Sequence, residues 1–241
     1  MDIILLDWTR MGRSYCLAGA VNQAGQIRIV RPMPARGRDG PVPNFGWSPY
    51  LLDGHARFEV FEMIKPRPGA GLAPHLEDVW VQTLRPRNQL ADPDIRRAIL
   101  QATLTQEARP FGCDLLPAHD ARYLEPGTGR GSLASIVVPA AEVQFTALWR
   151  DGSGEPDVRV RLPLGPDRPI LPLKDHFLLS RVESQPDLDE RLSLLRSAVR
   201  RMGDRVVVRL GLSPPYASAN GQPGRCWLMA DGFFSPDNPQ P

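Results

Sequence analysis

Five short apolar runs within about the first 85 residues, and a second half that reads β-β-β-α-β-β over residues 132–232, predict a mainly β protein with some helix (α+β). Each half has the strand count of a small Greek-key barrel of the OB type. The expected architecture is therefore two packed OB-like β-barrels, each with an associated helix, with a PUA-like or other small-barrel pair as the nearest competitor. The expected boundaries are 1–106 for the first barrel and its trailing helix, 107–131 for a linker, and 132–241 for the second barrel with an inserted helix.

In order, Ile3 to Leu6, Tyr15 to Val21 and Gln26 to Val30 are the first three strands, and Asn22-Gln23-Ala24-Gly25 supplies the turn of a hairpin. The pleat puts Arg28 on the face opposite Ile27 and Ile29. Residues 33–54 read as loop, and strands resume at Ala56 to Ile64 and Val79 to Leu84. Asp92 as N-cap and Pro93 at the first helical position open a helix whose apolar face is Ile95, Ala98, Ile99 and Ala102. Residues 107–131 are irregular and end in the run Gly127-Thr128-Gly129-Arg130-Gly131, read as a flexible linker. Leu133 to Val138, Glu142 to Trp149 and Val158 to Leu162 are strands, the last two joined across Asp151-Gly152-Ser153-Gly154. A helix runs from Asp187 to Met202, with Asp187 and Glu190 as a capping box and Gly203 as its stop. Arg205 to Leu210 and Cys226 to Ala230 complete the second set.

Composition narrows the class. At 42% hydrophobic the chain can bury a core, and no window approaches the roughly 20 apolar residues of a membrane helix. Its start lacks a basic signal-peptide segment, so a soluble cytoplasmic protein with no membrane partner is expected. Only Lys65 and Lys174 are lysines among 29 basic residues, and 27 acids balance them to a net charge of +2. Arginine forks onto phosphate and stacks on bases. A GC-rich genome raises Arg, Pro and Gly together and accounts for the total, so any basic site must be local. Cys16, Cys113 and Cys226 are too far apart for a zinc knuckle and odd in number for a disulfide framework.

Pro74-His75-Leu76-Glu77-Asp78 is the densest titratable segment. A His-x-Glu pair serves zinc deaminases, but the Pro-Cys-x-x-Cys they also need is absent. The segment therefore reads as structural or ligand-contacting, with metal ligation by His75, Glu77 and Asp78 as the alternative. No phosphate-binding loop, nucleophile elbow or zincin helix occurs, and no serine has an adjacent histidine to activate it. Tryptophans in strands read as core. The loop aromatics Trp47, Tyr50 and Tyr216 are the candidates for stacking on bases.

Several phrases together resemble a bacterial family, the dual OB-containing domain: Leu6-Asp7-Trp8-Thr9-Arg10-Met11, Tyr15-Cys16-Leu17-Ala18-Gly19, Ile29-Val30-Arg31-Pro32, the Pro74 to Asp78 segment, Val208 to Tyr216, and Cys226 to Gly232. The sequence departs from the family pattern at Ser213-Pro214-Pro215 and Met229-Ala230-Asp231. The resemblance implies two OB-like barrels in a defence or conflict setting, with a role in recognising nucleic acid or nucleotides. It implies Thr9, Arg10, Arg31, His75, Glu77, Asp78 and Arg209 as polar marks.

The expected function is a non-enzymatic module for nucleic acid, with single strands among the candidate forms, or for a nucleotide. No cofactor is expected. The expected ligand contacts are Thr9, Arg10, Arg28, Arg31, His75, Glu77, Asp78, Arg209 and Tyr216. The alternatives are a metal-dependent nuclease or hydrolase at His75, Glu77 and Asp78, and a protein-docking subunit of a defence complex.

Overall fold

The computed structural model describes residues 1–12, 14–35, 46–69, 72–105, 109–149, 156–215 and 224–240. The chain is mainly β with a few helices, as expected. The first half contributes β1 (Asp2–Met11), β2 (Ser14–Gln23), β3 (Gln26–Pro34), β4 (Glu59–Ile64), β5 (Arg67–Pro68), β6 (Asp78–Val81) and β7 (Thr83–Leu90). They form one sheet in the order β5-β6-β3-β2-β1-β4-β7, curled into a half-barrel. The predicted hairpin is β2–β3. Its turn holds Ala24 at φ 50° and Gly25 at φ 83°, the left-handed pair that a tight hairpin needs, and Gly25 N donates to Asn22 Oδ1 at 2.9 Å. The segment expected as one strand, 79–84, is instead the junction of β6 and β7, because the chain bends at Gln82, whose N–H bonds Ile64 O. β6 runs parallel to β3, and the register sets Asp78 beside Arg31.

Helix α1 (Pro93–Thr103) starts where predicted, with the Asp92 carboxylate accepting from Asp94 N at 2.8 Å. Its buried residues are Ile99 and Leu100, while Ile95 is 47% exposed. The stripe expected from periodicity is displaced because the helix lies against both β3 and the second-half strand Leu133–Pro139, and is buried on the side that both share.

The second half contains β8 (Leu116–Ala118), β9 (Ala121–Leu124), β10 (Leu133–Pro139), β11 (Gln144–Leu148), β12 (Asp157–Arg161), β13 (Ile170–Pro172), α2 (His176–Ser180), α3 (Leu188–Arg200), β14 (Arg205–Leu212) and β15 (Cys226–Phe234). Two sheets result, β10-β14-β15-β9-β8 and β11-β12-β13. The 107–131 segment is not a linker in its described part. β8 and β9 pair with each other, and β9 pairs with β15, so the segment extends the second half's own sheet. Its glycine run docks on the first half, with Gly127 N donating to Ala73 O at 2.8 Å. The turn expected at 151–154 lies outside the described residues, although the β11–β12 pair it joins is present. In α3, the Asp187 side chain accepts from Glu190 N at 2.8 Å, Leu195, Ala198 and Val199 are buried, and Arg196, Arg200 and Arg201 are exposed as an ordinary solvated face.

Three hydrophobic clusters hold these pieces together. One belongs to the first sheet and one to the second half. The third joins Leu6, Ala20, Phe58, Ile99 and Leu100 to Val207 and Phe234, so the halves share core rather than merely touching. At the same junction Leu104 bridges Ser135, and Thr9 bridges Asp175.

Candidate ligand-binding site

Between the halves lies a cavity of about 790 Å³, within the roughly 300–1,000 Å³ range of small-molecule sites. Strand alternation builds both walls. On the first half, Thr9 and Met11 of β1, Cys16 and Ala18 of β2, and Arg31 and Met33 of β3 line it, with Thr9 directly opposite Cys16 in the ladder. On the second half it is lined by Leu133, Arg159, Lys174, Leu212 and the β15 residues Trp227, Met229 and Asp231. Small side chains on β2 leave the space, and three methionines give an adaptable apolar surface. Among the described residues the charged lining is four cations, Arg10, Arg31, Arg159 and Lys174, against one acid, Asp231. Arg10 pairs with Glu183 at 2.7 Å on the surface, both side chains about half exposed, and Arg159 pairs with Asp157 at 2.7 Å.

The polar segment 74–78 stands behind this wall as a clamp. Asp78 accepts from Arg31 Nε at 2.7 Å and faces its Nη2 at 2.6 Å, so the buried guanidinium is held by one carboxylate oxygen. Burial pushes the Asp78 carboxyl above its ordinary range despite that partner. Glu77 reaches across to the other half, accepting from Ser132 N at 3.1 Å and from the Ser132 hydroxyl. His75 Nε2 lies 3.1 Å from Ser213 O; a carbonyl only accepts, so Nε2 carries the proton and Nδ1 is a bare, buried acceptor without a partner among the described residues. Burial, with Arg31 nearby, pushes the His75 pKa down to about 3, so the ring is neutral at physiological pH. Ligand atoms of His75, Glu77 and Asp78 lie within 4.8 Å of one another. A metal ion there would have to displace Arg31 from Asp78 and Ser132 from Glu77.

Beside the cavity a second buried network joins β1 to β14 and β15. Arg209 donates through Nε to Asp7 Oδ2 at 2.9 Å and through Nη1 to Ser135 Oγ at 2.9 Å, and is 1% exposed. Asp231, 4% exposed, takes the Thr9 hydroxyl. Burial and the neighbouring Asp7 push its pKa up to about 7, against the opposing pull of Arg209. Asp7 Oδ1 and Asp231 Oδ1 are both buried without a partner among the described residues. A third clamp is Arg57, held between the rings of Phe177 and Phe234 at 4.5 and 4.4 Å, and paired with Asp175. The Asp175 carboxylate also accepts from Phe177 N, Leu178 N and Phe233 N.

Of the residues expected from sequence, Thr9, Arg10 and Arg31 meet at the cavity, and His75, Glu77 and Asp78 brace its wall. Arg28 is exposed on β3 and takes no part in the lining. Arg209 is not at a presented edge: β14 is flanked by β10 and β15, and the guanidinium is sealed between the halves. Trp47 is buried and donates to Pro32 O at 2.7 Å, so it is core. Tyr50, 91% exposed, borders a second cavity of about 290 Å³ with Trp8, Tyr15, His55 and His176. Tyr216 lies outside the described residues. Sequence reasoning missed Asp7, Asp231, Trp227, Arg159 and Lys174. The signal for the two aspartates was a lone carboxylate inside an apolar strand run, at Leu6-Asp7-Trp8 and Ala230-Asp231-Gly232. No family model, curated protein or solved structure matches the chain.

Proposed function

We propose that this chain is a non-enzymatic recognition module, two OB-like barrels that hold a nucleotide unit, of a single strand or free, in the cavity between them. The observation that carries the reading is the cavity itself: apolar walls wide enough for a base, with Arg10, Arg31, Arg159 and Lys174 among the lining for phosphate. Arg10, Arg31 and Arg159 already carry carboxylate partners, and exchanging a surface pair such as Arg10–Glu183 for a phosphate costs little. The likeness to the dual OB-containing family supports the same ligand class. It is also the ground for proposing a cytoplasmic, bacterial defence setting with protein partners.

The test is fluorescence anisotropy with short single strands, competed by free nucleotides, over a salt series. Affinity is expected to fall steeply with salt. The paired change Arg10→Ala with Lys174→Ala is expected to weaken binding about tenfold and to reduce the salt slope by about 2. Arg31→Ala and Arg209→Ala are poor probes, because each leaves a carboxylate stranded in the interior. Absence of binding at low salt overturns the reading. Shortening of the strand in Mg²⁺ or Mn²⁺, abolished by Asp78→Asn, would instead favour a metal-dependent nuclease at the clustered His75, Glu77 and Asp78.

A further inference from the structure

We infer that Trp227 is the residue on which the ligand's base stacks. This inference rests on the proposed nucleotide reading and assigns to it a position and an orientation.

Period-two alternation puts Arg225, Trp227 and Met229 on one face of the β15 segment, and the bulge at Asp231 adds that residue to the same cavity lining. Trp227, Met229 and Asp231 all line the cavity, and exposure falls along the row from half-buried Trp227 to buried Asp231. The indole is backed rather than enclosed. Tyr123, its direct cross-strand partner on β9, stands 5.5 Å away with the rings at 51°, and the Arg225 guanidinium lies 4.4 Å from the Tyr123 ring centre and 5.7 Å from that of Trp227. The main chain beneath it is fixed at both polar groups: Trp227 N donates to Ser213 Oγ and Ser213 N donates to Trp227 O, each at 2.9 Å. A flat, rigid, half-buried ring is thus presented to a space whose lining includes flexible methionines and leucines, with Arg10, Arg159 and Lys174 lining the same space. That combination of an aromatic platform and nearby cations suits an unpaired base with its phosphate, and stacking tolerates any base because each has a π face.

The experiment compares two probes of about eight nucleotides, an oligo-dT strand and an abasic strand of the same length, on wild type, Trp227→Ala, Trp227→Phe and the Arg10→Ala/Lys174→Ala pair. Wild type is expected to favour the base-bearing strand by about tenfold. Trp227→Ala is expected to erase that preference while holding the abasic strand as before, Trp227→Phe to retain most of it, and the cation pair to weaken both probes alike. Equal loss of both probes in Trp227→Ala would assign the residue to packing and overturn the inference, as would an unchanged preference; in either case the nucleotide reading stands. Failure of wild type to bind either probe overturns that reading and this inference with it.

Discussion

Asp231 is a side chain whose chemistry departs far from its reference. Its folded pKa is about 7 against an ordinary 3.8, so the native chain keeps a proton that the unfolded chain releases between those values. The contribution of Asp231 to stability is therefore fully present below about pH 4, lost as pH rises to about 7, and constant above. His75 works in the opposite sense. Its folded pKa of about 3, below the ordinary 6.5, means that stability is lost as pH falls through that interval. The two slopes overlap, so the difference in melting temperature between wild type and Asp231→Asn across pH isolates the aspartate. We expect the variant to gain on wild type as pH rises and to be the more stable above neutrality, because an amide avoids placing a second negative charge beside Asp7. A pH-independent difference would show that Asp231 does not hold its proton in the folded chain.

At the scale of elements, β14 and β15 are specialised to seat carboxylates between the halves. A Cβ built on Gly211 of β14 would overlap the Asp231 carboxylate, and one on Gly232 of β15 would stand 2.8 Å from Asp7 Oδ1. The ladder shifts register between Arg209 and Leu210, leaving Asp231 as the extra residue of a bulge, a device that re-aims a side chain. Gly211→Ala is expected to cost about 3 kcal/mol in urea unfolding, as overpacking against the buried Asp231 carboxylate. A loss below about 0.5 kcal/mol would mean that the carboxylate swings away freely. Elements of this kind differ from α1 and α3, whose starts were legible because a cap and a first-turn signal lie within four residues of each other. The α1 burial face was not legible, since two separate sheet surfaces choose it.

For the whole molecule, the shared cluster of Leu6, Phe58, Ile99 and Leu100 with Val207 and Phe234, and the clamps Arg209–Asp7, Arg57–Asp175, Glu77–Ser132 and His75–Ser213, tie the halves into one cooperative unit. A single calorimetric transition is expected, with van't Hoff and calorimetric enthalpies in agreement. Two resolved transitions would show that each half keeps a core of its own. The same ties define the cavity, because its walls come from strands that meet only when the halves dock.

The sequence by itself determined the β-rich class, the β2–β3 hairpin, the capped helix starts, and the short phrases carrying Thr9, Arg10, Arg31 and the 74–78 segment. All of these depend on alternation, turn chemistry or capping over a few residues, which a linear reading can see. Only the tertiary structure decided that Arg209 is an interior ion-pair partner, that residues 116–124 are sheet rather than linker, and that Trp227 lines a cavity. The physical reason is separation along the chain: the Arg209 guanidinium meets Asp7 from 202 residues away. Burial of a charge is set by partners that no local window contains.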